Sequence, residues 1–210
     1  MSKTWLVGTF AVGAIGAATI VALALLRPKT LDGTASAVME AILNNDPESV
    51  YEFAHECQKA ELSRENFVAA WQEIVTPVLR SFKPLGQPKV EVSPGGLQAV
   101  ASVKLRNEQG VEYDLYVVIW PTDDGPRHDL LAPFTTVWCI RWVVEQGSED
   151  LSLSKACAVG LAADAPTLRR AGIHALPSAN PERGAVPIDE CIAYLRKSAQ
   201  DTAVVRRTGS

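Results

Sequence analysis

GLQAVASVKLRNEQGVEYDLYVVIW, residues 96–120, is the stretch on which the fold turns. In its second half Tyr113, Leu115, Val117 and Ile119 fall on one face. Glu112, Asp114, Tyr116, Val118 and Trp120 fall on the other, which is the alternation of a half-buried strand. Asn107-Glu108-Gln109-Gly110 between the halves suits a hairpin, so the pairing is expected to be antiparallel. Working outward, Pro84, Gly86 and Pro88 end whatever precedes, and Pro94-Gly95-Gly96 links Lys89–Val92 to the hairpin. Strands are expected at Lys89–Val92, Gly96–Arg106, Val111–Trp120 and Thr135–Gln146, the last with Trp138, Ile140 and Trp142 on its inner row.

Before these strands the period is helical. Ala35 to Leu43 places Val38, Ala41 and Ile42 on one face, and Asn44, Asn45 and Asp46 break it. Asp46-Pro47-Glu48 is a start signal for a second helix to about Gln58, striped by Val50, Phe53, Ala54 and Cys57. Ser63 opens a third, in which Phe67, Ala70, Trp71, Ile74, Val75 and Val78 recur, with a bend at Pro77. Three helices followed by a curved antiparallel sheet of about four strands is an α+β pattern. Residues 147–210 form a Pro-rich, mostly helical or irregular extension, with one amphipathic helix marked by Ile188, Cys191, Ile192 and Leu195.

Trp5–Leu26 is 22 residues without a charge, about 33 Å as a helix, and reads as one transmembrane anchor. Residues 1–30 are then an anchor with a basic flank, 31–146 the α+β domain and 147–210 the extension. The short polar tail before the span fits a signal-anchor layout, which places the domain outside the cytoplasm with the lipid bilayer as first partner.

The chain has 210 residues, with 20 Lys+Arg against 24 Asp+Glu and a net charge of -4. That balance argues against a nucleic-acid partner. GxxxxGK[ST], GxGxxG, GxSxG and HExxH are all missing, and no motif calls for a cofactor. The four cysteines show no metal-ligand spacing. Cys157 and Cys191 are the pair an oxidising compartment would join as a disulfide, with Cys57 and Cys139 read as buried thiols. Asp123-Asp124-Gly125 with His128-Asp129 reads as a polar loop and no metal is expected there.

The element order resembles the NTF2-like superfamily of cone-shaped α+β proteins, particularly membrane-anchored bacterial members, over residues 32–146. The carriers are AVMEAILNNDPESVYEFAH (37–55), NFVAAWQEIVTPVLRSF (66–82) and FTTVWCIRWVVEQG (134–147). The resemblance implies a cone lined here by Trp71, Tyr113, Trp138 and Trp142. It also implies an outer sheet face used for dimers or complex partners, carrying Tyr116, Val118, Trp120 and Cys139, with Lys104 and Arg141 beside its acids. Two functions stay open: a non-enzymatic binding or assembly module, such as an accessory subunit of a membrane complex, or an isomerase or dehydratase type of enzyme using Tyr51 and His55, four apart on one helix face.

Overall fold

The computed structural model describes residues 30–147, 152–178 and 182–208. Thr30 caps α1 (Leu31–Leu43), its hydroxyl accepting from the Gly33 N–H. The other end of α1 closes in a Schellman motif. The Asp46 N–H returns to the Ala41 carbonyl at 2.8 Å and the Asn45 N–H to Ile42 at 3.0 Å, with Asn45 left-handed at φ 54°. Asp46 then caps α2 (Pro47–Glu52), accepting from the Ser49 N–H at 3.1 Å. The expected run to Gln58 is interrupted, because residues 53–55 pair with His128 and α3 (Glu56–Glu61) restarts beyond them.

Ser63 caps α4 (Arg64–Ala70), which passes through a π-helical turn at Trp71–Val75 into α5 (Thr76–Leu79). Pro77 explains the wide turn. It has no N–H to give and its ring crowds the carbonyl four residues back, so the helix loosens there without ending.

Strands β1 (Phe82–Pro84), β2 (Lys89–Val92), β3 (Ala99–Asn107), β4 (Glu112–Trp120) and β5 (Arg127–His128) form one antiparallel sheet. β1 and β2 share one edge of β3, while β4 takes the other, in the register Val103↔Leu115 and Lys104↔Asp114. The alternation of β4 is realised: Leu115, Val117 and Ile119 are buried under α1, against Val38, Met39 and Ile42. Tyr116 and Trp120, on the reverse face, are 53% and 39% exposed.

Residues 135–146, expected as a strand, lie in a helix, α6 (Ala132–Gln146), opened by Pro133. The error has a physical cause. α6 packs on β4 and the π-turn on one side and on a following helix on the other, so its apolar residues surround much of its axis and hide the helical period. That following helix is α7 (Leu153–Arg170). A small hairpin of β6 (Ala175–Leu176) and β7 (Val186–Pro187) leads into α8 (Ile188–Thr208). Cys157, Leu161, Leu168, Ile173 and Ile188 join the same buried cluster as Trp71, Phe67 and Phe134. Each large side chain fully buried there contributes about 1.5–3 kcal/mol.

One further correction concerns the membrane. Among the described residues no helix is long and apolar enough to cross a bilayer. The segment Trp5–Leu26 lies outside the described residues, and the transmembrane anchor, the lipid partner and the extracytoplasmic placement are not carried forward.

Candidate functional site

Three helical stripes and the small hairpin converge on one cavity of about 600 Å³. From α6 and the residue before it come Leu131, Thr135 and Trp138, spaced four and three apart and so on one face. α7 contributes Cys157 and Leu161, one turn apart. α8 adds Cys191 and Leu195, again four apart, with Glu190 and Tyr194 beside them. Leu176 and Val186, paired across the hairpin, close the remaining wall. Arg183, Glu190 and Tyr194 are exposed, so polar groups sit where the cavity meets solvent while the depth is apolar. A volume of this size, with mostly hydrophobic walls and a few polar groups, is typical of small-molecule sites, roughly 300–1,000 Å³. The wall thiols differ in setting. Cys191 points at the Val186 carbonyl at 3.7 Å, and burial, then the Glu190 charge, push it up. Cys157 instead faces Cys139.

The wall is held from behind by a polar seam. The Trp138 indole N–H donates to Asp164 Oδ2 at 2.8 Å. Arg141 Nη1 donates to the same carboxylate at 2.8 and 2.7 Å, and its Nη2 reaches the Ile74 carbonyl in the π-turn at 3.2 Å. This seam ties the π-turn, α6 and α7 together behind Trp138.

The four aromatic residues expected to line a cone are dispersed. Trp71 is buried and donates to Asn45 Oδ1 at 2.8 Å, an oxygen that also accepts from Thr76. Tyr113 lies on the inner sheet face, where burial raises its pKa. Trp138 faces the new cavity, and Trp142, one turn further along the same helix, lies by Lys155 and Arg196 at a separate pocket. Tyr51 and His55 are not brought together: Tyr51 donates to the Leu62 carbonyl at 2.8 Å, while the His55 ring lies 6.4 Å from Trp120. Burial lowers the His55 pKa.

On the outer sheet face Tyr116, Val118 and Trp120 do share one side of β4. Cys139 does not join them, because it is buried in α6, and Arg141 leaves the sheet for Asp164. Lys104 pairs with Glu112 at 3.3 Å and Asp114 at 3.9 Å. Cys157 and Cys191 are free thiols on two walls of one cavity, with no disulfide between them. His128 is buried, its Nε2 2.7 Å from the Val50 carbonyl and its Nδ1 2.8 Å from that of Asp129. Among the described residues no cluster of His, Cys, Asp and Glu is arranged to hold a metal.

The cavity was not found from sequence, although one signal was present. Cys157, Leu161, Ala165 and Leu168 recur at helical spacing and mark α7 as an amphipathic helix that needs a partner. No protein-family model matches the chain, and no curated protein is detectably similar to it.

Proposed function

We propose that this chain is a non-enzymatic binding module, and that it holds a small apolar molecule in the cavity between α6, α7, α8 and the β6–β7 hairpin. The observation that carries the reading is the cavity itself, about 600 Å³ with apolar walls and a polar rim. Among the described residues no histidine lines it and Glu190, at the exposed rim, is its one carboxylate, so the lining suits holding a molecule better than moving protons. The test is a titration with 1-anilinonaphthalene-8-sulfonate, an apolar dye with one anionic group. Wild-type protein binds it in a saturable way, and Thr135→Trp, which fills the wall, weakens binding at least tenfold, about 1.4 kcal/mol. Equal binding by both proteins overturns the reading.

The outer sheet face favours a second role, assembly with another copy of the chain. Tyr116, Val118 and Trp120 present apolar area to water, and the Lys104 and Asp114 charges beside them suit a self-complementary contact about a two-fold axis. Sedimentation velocity checks it: a concentration-dependent dimer that Val118→Glu disperses is expected, and a monomer at all concentrations rejects it.

A further inference from the structure

At the cavity wall lies a pair of thiols, Cys157 lining the cavity and Cys139 behind it. Cys139 on α6 and Cys157 on α7 are both buried, and the Cys157 thiol donates to the Cys139 sulfur. The Tyr113 hydroxyl, from β4, donates to Cys139 from the other side. The helices meet in opposite directions, with Trp142 beside Lys155 and Trp138 against Gly160 and Asp164, so Cys139 and Cys157 both lie at this crossing. Their approach is very close here. A Cβ on Gly160, one turn beyond Cys157, would fall 2.3 Å from Cγ of Trp138, the residue before Cys139. A disulfide needs Cα atoms about 4.4–6.8 Å apart, and the missing side chain of Gly160 lets the two backbones approach closely at this crossing.

Access is the second requirement. Cys157 also lines the cavity, whereas Cys139 does not. A small oxidant that enters the cavity therefore meets one sulfur of the pair and finds the other directly behind it.

We propose that Cys139 and Cys157 form a redox pair, and that a hydroperoxide reaching Cys157 through the cavity converts them to a disulfide joining α6 and α7. The pair first releases one proton to solvent and keeps the other between its sulfurs. As that shared proton passes to Cys139, the Cys157 sulfur attacks the peroxide, breaking the O–O bond; the alkoxide leaves and takes up a solvent proton as an alcohol. Cys157 is then a sulfenic acid. The Cys139 sulfur attacks it, forming the S–S bond and expelling hydroxide, which leaves as water with the Cys139 proton. Two thiols and one hydroperoxide give one disulfide, one alcohol and one water, with two electrons passing from sulfur to oxygen. The donors around Cys139 favour its role as the second nucleophile. Hydrogen bonds from Cys157 and then Tyr113 hold it below the ordinary thiol range against the opposing effect of burial, while donation to Cys139 and burial push Cys157 up.

The experiment treats the full chain with cumene hydroperoxide, blocks remaining thiols with iodoacetamide after unfolding, and maps the peptides by mass. The expected result is an intact mass lower by two hydrogens, two of the four cysteines protected, a Cys139–Cys157 cross-linked peptide, and recovery with dithiothreitol. Cys191→Ser leaves the cross-link intact and Cys157→Ser abolishes it. Four blocked thiols, a Cys157–Cys191 link, or Cys157 trapped as sulfinic acid would each overturn the proposal. The wild-type map decides the matter even if a serine variant fails to fold.

Discussion

Trp138 donates its indole N–H to the Asp164 carboxylate at 2.8 Å, and both groups are buried where α6 crosses α7. The bond fixes the ring whose other atoms form the back wall of the cavity. Because Arg141 binds the same carboxylate and reaches into the π-turn, the cavity wall is coupled to the core of the α+β body. Removing the carboxylate orphans an indole N–H and an arginine charge at once. Asp164→Ala is therefore expected to cost about 3 kcal/mol, read from urea unfolding, whereas a loss below about 0.5 kcal/mol would show the seam to be incidental.

Gly160 makes the close crossing of those helices possible. An alanine there has the better helix propensity by about 1 kcal/mol, but its methyl would enter the Trp138 ring. Overpacking of this kind costs about 1–3 kcal/mol, so Gly160→Ala should be net destabilising and should slow formation of the Cys139–Cys157 link. A stabilised variant that cross-links at the wild-type rate contradicts the packing described.

Asn45 does two jobs, and two substitutions separate them. Its oxygen accepts from Trp71 and Thr76, each at 2.8 Å, and its backbone sits at φ 54°. Asn45→Gly keeps the backbone comfortable and loses only the acceptor, at about 1–2 kcal/mol. Asn45→Ala loses the acceptor and strains the backbone, adding about 1 kcal/mol more. Equal unfolding midpoints for the two variants would remove the backbone from the argument.

The elements carried by local chemistry could be read from the sequence, and those created by packing could not. Asp46-Pro47 and Ser63 announced helix starts because a capping side chain acts within three residues. β4 was legible because one of its faces meets α1 and the other meets water, so alternation survives. α6 failed that reading for the opposite reason: buried on both sides and rich in aromatic and β-branched residues, it resembles a strand in composition and shows little helical period. Misreading α6 then misplaced Trp138, Cys139 and Arg141 together. The cavity joins residues from Leu131 to Leu195, which only tertiary packing brings together.

His128 gives the protein a pH dependence. Burial, the dominant influence, holds its ring below the ordinary imidazole value of 6.5, although the Val50 and Asp129 carbonyls favour the proton. The nearby Asp129 also favours protonation, and His55 opposes it. The unfolded chain therefore takes up a proton more readily than the folded one. Stability from this group is fully present above pH 6.5 and is lost as pH falls below that value toward the lower folded pKa. In urea titrations His128→Gln should be less stable than wild type at neutral pH, and the gap should narrow on acidification through that window. A gap that stays constant would mean that the ring does not titrate with unfolding.

The most direct measurement of the central claim is the position of a bound probe. Crystals of the full chain grown with a brominated aliphatic alcohol, recorded at the bromine absorption edge, locate the halogen by its anomalous signal. The account predicts one dominant peak among Leu161, Leu176 and Val186, with the hydroxyl toward the rim. A cavity without a peak, or a dominant peak on the outer sheet face beside Tyr116 and Trp120, would contradict it.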